Sequence, residues 1–301
     1  MKETVSARTK ISAFIILILI PITLYLGIKY LGDRKYMFIS MLIILQVMLP
    51  FFMIFEERLP KTREMMLIAV LTAIGASGRM AFFWIPQFKP MVAVAIISGI
   101  ALGAETGFLV GALIAFTSNF FYGQGPWTPW QMFATGIIGF LSGLLFNYLQ
   151  ENKNKLVLKS IIFVISIGII FAFIYWIVST VSSGTFKNTE VWGLWQIILL
   201  GIIIILTTKI FKIAKKSSNK LILGTYGFIV TFIVYGGIMD PASVIMFSAT
   251  VNKKAILAAY ISGIPFNLVH GIASFVFLYF FGDILLEKID RIKVKYGLIE
   301  E

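Results

Sequence analysis

Long apolar runs separated by short polar segments dominate this sequence. A helix that crosses a bilayer needs about 20 mostly apolar residues, and ten apolar runs can be separated here, some of them shorter than this. The pattern predicts an all-α polytopic membrane protein with about ten transmembrane helices. The predicted spans are residues 11–28, 36–55, 65–84, 91–102, 106–122, 129–149, 158–181, 191–211, 221–247 and 255–281.

The composition supports a membrane protein and excludes several kinds of chemistry. The 301 residues are 59% hydrophobic and only 13% charged, and the mean hydropathy is +0.93, whereas about a quarter of the residues in a soluble domain are charged. The absence of cysteine excludes disulfides and thiolate sites, and a single histidine excludes a multi-histidine metal centre. We therefore predict neither a metal site nor a cofactor.

The excess of basic residues predicts the orientation of the chain. There are 26 Lys and Arg residues against 14 Asp and Glu. When the spans are placed alternately, most of the basic residues fall on the side that also holds both termini. Positive residues concentrate on the cytoplasmic side of membrane proteins, so we expect a cell-membrane protein with both termini in the cytoplasm. The positive charge then belongs to the membrane surface, and no nucleic-acid partner is predicted.

The stretch 119–131 interrupts the apolar pattern between two predicted spans. Its two glycines and two prolines disfavour a continuous helix, and its indole rings suit either a membrane boundary or the face of a ligand. Amide side chains add uncharged hydrogen-bonding groups. We predict that this stretch forms one wall of a small-molecule site; a plain interfacial turn is the alternative. Its candidate binding residues are Asn119, Gln124, Trp127, Trp130 and Gln131.

Motifs for catalysis are missing from the sequence. No Gly-x-x-x-x-Gly-Lys phosphate loop is present, and no Gly-x-Ser-x-Gly motif accompanies a candidate serine. Asp240 is the only acid deep in a predicted outer half, and we expect His270 to form hydrogen bonds rather than to act as a base. Binding and transport are therefore favoured, and the chain is not predicted to be an enzyme.

Four segments resemble the substrate-binding (S) components of energy-coupling factor (ECF) transporters, most closely the cobalamin-type branch. These segments are residues 79–90, 118–132, 262–270 and 291–298. The resemblance implies a core of six helices, to which this chain adds four. The implied organisation is an N-terminal two-helix extension (1–63), core helices 1–4 (64–149), an inserted two-helix segment (150–220), and core helices 5–6 with a cytoplasmic tail (221–301).

The resemblance also implies partners and a substrate. Family members capture a vitamin outside the cell, while a transmembrane coupling (T) component and two ATPase subunits supply the energy. Docking to the coupling component would use small residues at helical spacing on the first core helix, Ala69, Ala73 and Ser77. The loop 85–90 would cap the site, and cobalamin or a related corrinoid is the favoured substrate.

In the predicted site, aromatic faces and neutral polar groups hold an uncharged or weakly charged ligand. Arg79 and Asp240 either pair with each other or orient the ligand. A self-contained secondary transporter and an intramembrane enzyme remain as alternatives. Besides the residues of the stretch 119–131, the predicted substrate-binding set contains Arg79, Phe83, Trp84, Asp240, Asn267 and His270.

Overall fold

The computed structural model describes residues 62–147, 219–248 and 251–297, together with scattered helical positions between residues 22 and 53. The chain divides into two compact units, one formed by Met1–Asn147 with Leu223–Glu301 and the other by Tyr148–Ile222. Of the second unit, the structure describes residues 219–222, which begin a helix. The predicted spans 158–181 and 191–211 lie outside the described residues, and the spans 11–28 and 36–55 lie largely outside them.

Seven helices and one π-helical segment make up the described residues. The helices are α1 (Thr62–Ala81), α2 (Met91–Leu102), α3 (Ala104–Tyr122), α4 (Trp127–Asn147), α5 (Asn219–Val230), α6 (Gly236–Phe247) and α7 (Lys253–Lys295). The π-helical segment Thr231–Tyr235 joins α5 to α6 without a break. The all-helical class is confirmed for these residues, while the total of ten helices stays a prediction, as do the domain boundaries.

The lengths of the helices confirm a multi-pass membrane protein. Within the described ranges, four helical stretches are long and apolar enough to cross a bilayer, and Met91–Leu102 is a shorter apolar helix. The four stretches are Thr62–Ala81, Ala104–Tyr122, Lys220–Phe247 and Lys253–Lys295. The side of the membrane on which each terminus lies remains a prediction.

Some predicted boundaries were wrong, for local physical reasons. The central break is confined to residues 123–126, because Gly123 takes a positive φ of 97° after α3 and Trp127 already starts α4. The last helix, predicted to end at residue 281, continues as α7 as far as Lys295. Charged residues at helical spacing can prolong a helix beyond the membrane, and here Arg291 pairs with Glu287 one turn away at 2.5 Å.

Two prolines lie inside helices that nevertheless continue, Pro241 in α6 and Pro265 in α7. A proline cannot donate to the carbonyl four residues earlier, so that carbonyl needs another donor in a membrane. For Pro241 this carbonyl belongs to Gly237, and the Tyr260 hydroxyl donates to it at 3.1 Å. The Tyr260 hydroxyl of α7 thus replaces the hydrogen bond that Pro241 removes from α6.

Helices α2, α3 and α4 pack with their backbones in contact. A Cβ added at Gly107 would lie 2.5 Å from both the Gly139 carbonyl oxygen and the Gly99 Cα, a separation that side chains do not tolerate. Small residues at such crossings let membrane helices approach closely, where van der Waals contact drives association. This three-helix block supports one side of the site described next.

Candidate functional site

A cavity of about 500 Å³ opens at the end of the bundle that carries the α1–α2 loop. This volume lies within the range of small-molecule sites. The wall is formed by the end of α1, the α1–α2 loop, the start of α2, the end of α3, the start of α4, the π-helical segment with α6, and α7. The lining residues are Arg79, Phe83, Pro86, Gln87, Lys89, Met91, Tyr122, Gln131, Tyr235, Met239, Asp240, Ser243, Ala259, Ser262, Gly263, Phe266, Asn267 and His270.

Arg79 lies in the last turn of α1 and is only 8% exposed. One terminal nitrogen of its guanidinium donates to the Ser118 hydroxyl at 2.6 Å and to the Asn119 side-chain oxygen at 2.8 Å. The guanidinium carbon lies 4.5 Å from the centre of the Tyr122 ring, a cation–π distance. Arg79 therefore points inward and is held by neutral groups.

Lys89 anchors the α1–α2 loop beside Arg79. Its ammonium donates to the carbonyl oxygens of Phe82, Phe83 and Ile85, the last at 2.7 Å. Burial and, to a smaller extent, the nearby Arg79 guanidinium lower the pKa of Lys89. This arrangement folds the loop over the cavity, with Gln87 held at a φ of 57°.

Asp240 occupies the opposite wall, in α6. Asn267 donates to it from α7 at 2.8 Å. Both residues fit against glycines of the facing helix, because a Cβ at Gly263 would lie 2.5 Å from the carboxylate and one at Gly236 would lie 2.5 Å from the amide. Asp240 and Arg79 both line the cavity and form no ion pair with each other in the described structure. Of the two predicted alternatives, that these residues orient a ligand stays a prediction.

His270 lies in the same wall and is 2% exposed. Its ring meets the Tyr235 ring edge to face, with the centroids 4.6 Å apart. Within the described residues, neither ring nitrogen has a hydrogen-bond partner. A buried polar atom without a partner costs about 1–3 kcal/mol. Tyr235 ends the π-helical segment, a helix type that is frequent at functional sites.

The stretch 119–131 mainly supports the residues of the cavity wall and contributes little to its lining. Asn119 is fully buried and donates to Thr128 at 3.1 Å and to Gln131 at 2.8 Å, while it also supports Arg79. Of the five binding residues predicted here, Gln131 lines the cavity. Gln124 instead donates to the Phe116 carbonyl at 3.0 Å.

The predicted tryptophans also lie outside the cavity lining. Trp127 packs near Phe247, with ring centroids 6.3 Å apart, and Trp130 packs against a core cluster that contains Phe108. Trp84 is 87% exposed in the α1–α2 loop and contacts the Phe83 ring. Thus six predicted binding residues come together in the cavity wall: Arg79, Phe83, Gln131, Asp240, Asn267 and His270.

Sequence reasoning did not identify several lining residues, including Lys89, Tyr122, Tyr235 and Ser243. Lys89 gave no clear signal, because a cation is ordinary in a loop that also contains Gln87. Tyr122 ends an apolar run, where tyrosine is ordinary at a membrane boundary, and Tyr235 is one of several aromatic residues within its run.

The described residues contain no group of three or more His, Cys, Asp or Glu side chains that could hold a metal ion. Separately, Ala69, Ala73 and Ser77 all lie on an exposed strip of α1, flanked by apolar residues such as Val70 and Ile74, which are 54% and 44% exposed. The face that was predicted to dock a partner is thus exposed in the part of the chain that the structure describes.

The fold is that of a multi-pass helical membrane protein, and it encloses a cavity lined by polar and apolar side chains. Residues 59–191, less than half of the chain, match the family described as ECF-type riboflavin transporter, S component. This match supports the S-component resemblance and gives no support to its cobalamin branch. The matched family is one of transporter components rather than of enzymes.

Several curated bacterial relatives match part of this chain. A UPF0397 protein of Vibrio atlanticus is 30% identical over 99 residues, which make up 31% of this chain and 52% of the relative. One from Aliivibrio fischeri (strain MJ11) is 31% identical over 96 residues, covering 30% of this chain and 51% of the relative. The chain therefore spans about half the length of the curated relatives it matches. No solved structure matches it.

Proposed function

We propose that this protein is the membrane-embedded substrate-capture subunit of an ECF-type importer. The observation that carries the proposal is the polar cavity, which lies at one end of a helical bundle whose sequence is similar to S components. Charged and amide groups deep among membrane helices are costly and mark functional positions. Here they converge from α1, α4, α6 and α7 on one space.

The cavity is proposed to take a vitamin-sized molecule from the outer side of the membrane. A volume of about 500 Å³ suits a molecule of one to three rings, such as riboflavin, better than a bulky corrinoid. We therefore place riboflavin-sized vitamins ahead of cobalamin. Phe83 and Tyr122 offer aromatic faces, and Gln131, Asn267 and His270 offer hydrogen bonds to the ligand.

Energy for release into the cell is proposed to come from partners. A transmembrane coupling component would dock on the exposed small residues of α1, and two ATPase subunits would drive the cycle. The chain has no phosphate loop of its own, which is consistent with this division of labour. Purification of the tagged chain from its host should recover a coupling subunit and two ATPases.

The test of the site uses His270→Phe. Phenylalanine keeps an aromatic ring against Tyr235 and removes the two unpartnered nitrogens, so the ligand-free protein should be stabilised by about 1 kcal/mol. If the nitrogens are satisfied by the ligand, binding should weaken about tenfold, which corresponds to 1.4 kcal/mol. Thermal unfolding and ligand titration of the purified protein, with riboflavin, cobalamin and other vitamins, measure both effects.

Ile272→Ala is the matched control, because Ile272 lies on the same helix, is 43% exposed and does not line the cavity. If His270→Phe bound every vitamin with unchanged affinity, His270 would not be part of the binding site. Steady uptake by the chain alone in liposomes would instead make it a self-contained transporter.

A further inference from the structure

The charges around the cavity do not balance. Three side chains that carry a charge in water at neutral pH line it, the basic residues Arg79 and Lys89 and the acid Asp240. In the part of the chain that the structure describes, neither cation is paired with a carboxylate. A buried charge without a counter-charge is expensive, so it is normally paired or reserved for a ligand.

Arg79 has donors left over. Its contacts with Ser118 and Asn119 both use one terminal nitrogen, and the face of the guanidinium lies against the Tyr122 ring. The other terminal nitrogen and Nε make no hydrogen bond within the described structure. A guanidinium presents its donors as a planar fork that matches a carboxylate or phosphate with two parallel hydrogen bonds.

Neither Lys89 nor Asp240 accepts a hydrogen bond from the free donors of the Arg79 guanidinium. Lys89 is a second cation, and it is already bonded to the three loop carbonyls. Asp240 accepts from Asn267 across the α6–α7 contact at 2.8 Å and forms no ion pair with Arg79. The wall therefore has a positive side at α1 and its loop, and an accepting side at α6 and α7.

We infer that the ligand carries an acidic group, a carboxylate or a phosphate, which the free side of the Arg79 guanidinium holds, and a hydrogen-bond donor that faces Asp240. This inference rests on the proposed capture function and narrows its substrate class. It departs from the uncharged or weakly charged ligand that the sequence favoured. Anion binding would supply the counter-charge that Arg79 lacks among the described residues.

Matched pairs of vitamins that differ in the acidic group test this inference. The probes are nicotinate and nicotinamide, biotin and biotinamide, pantothenate and panthenol, and riboflavin 5′-phosphate and riboflavin. Calorimetric titration of the purified protein should show, for the pair that binds, at least about tenfold tighter binding of the acid, since charge-assisted hydrogen bonds are the stronger ones.

Variants of Arg79 test whether this residue causes the preference for the acidic ligand. In Arg79→Gln, the affinity for the acid divided by that for the neutral compound should fall to near one. Arg79→Lys keeps the positive charge and is the variant that guards against misfolding, so it should retain part of the preference. Arg291→Gln is the charge-matched control, because Arg291 is exposed near the end of α7 and outside the lining; its ratio should match that of the unaltered protein.

The outcomes separate the two proposals. Tighter binding of a neutral member, or a ratio that Arg79→Gln leaves unchanged, would overturn the acidic-ligand inference and leave the capture function standing. Failure of all eight compounds to bind would count against the capture function, and the inference would fall with it.

Discussion

Two helix contacts in this protein use glycine in opposite ways. Between α2, α3 and α4, glycines let one backbone touch another, as at Gly107, which faces the Gly139 carbonyl. Between α6 and α7, glycines make room for polar side chains, as at Gly263, which faces the Asp240 carboxylate. The first contact leaves no space for a ligand, whereas the second places hydrogen-bonding groups in a cavity wall.

This difference indicates which helix contacts in the bundle can change conformation. A backbone-to-backbone crossing has no flexible atoms that can move aside, so the α2–α4 block acts as a rigid support. The α6–α7 contact has an internal proline in each helix, and a π-helical segment directly precedes α6. It therefore offers several positions at which a small adjustment can follow ligand binding.

The largest expected effect is at the rigid contact. In Gly139→Ala the new methyl group would overlap the Gly107 carbonyl and press on the Ala95 carbonyl at 3.1 Å. Since neither backbone can yield, we expect destabilisation of about 3 kcal/mol or more, seen as a loss of monodisperse protein in size-exclusion chromatography and a lower Tm.

Gly282→Ala is the control for this change. It also adds a methyl to a buried helical glycine, but that methyl meets the tip of the Leu223 side chain at 2.6 Å and then nothing closer than 3.7 Å. The leucine can rotate away, and alanine favours the helix by about 1 kcal/mol, so stability should change little. Equal losses in both variants would contradict the contrast between backbone and side-chain contacts.

A smaller effect, on binding rather than folding, is expected at the polar contact. In Gly263→Ala the methyl would push the Asp240 carboxylate, whose atoms lie 2.5–2.6 Å from the new carbon. The carboxylate can swing into the cavity, so the Tm should fall by only a few degrees. Affinity for the ligand should fall about tenfold, as measured by titration.

Gly282→Ala again serves as the control, because it lies on the same helix and outside the cavity lining. If Gly263→Ala bound the ligand with full affinity, Asp240 would have no place in the site.

The contrast between the two regions also explains what the sequence could predict. The helices of the first block were predicted well because glycine or proline precedes each of them, and glycine also follows α2 and α3. The cavity required knowledge of which helices pair. Asn119 illustrates the limit: its amide in a broken stretch resembles a ligand contact, yet its partners are Arg79, Thr128 and Gln131. A single sequence contains no signal that distinguishes a residue that supports the cavity wall from one that contacts the ligand.

Arg79, Asp240, Asn267 and His270 were found from sequence for a physical reason. A polar residue deep in an apolar run is costly unless it has a function, so its presence alone is informative. Lys89 was missed because a cation in a loop needs no such explanation. The exposed face of α1 followed from the spacing of its small residues, but what covers that face remains a prediction.

The smallest effect on the isolated chain is expected on that face of α1. Ala73→Trp adds an indole to an exposed position, so Tm and ligand binding should stay close to those of the unaltered protein. Docking of a coupling component needs close helix approach, which an indole prevents, so recovery of the partner subunits and uptake should be lost. Leu257→Trp, at a 60% exposed position on α7, controls for the added indole. If Ala73→Trp still assembled and transported, the partner would have to bind elsewhere, and the uncovered strip of α1 would face only lipid.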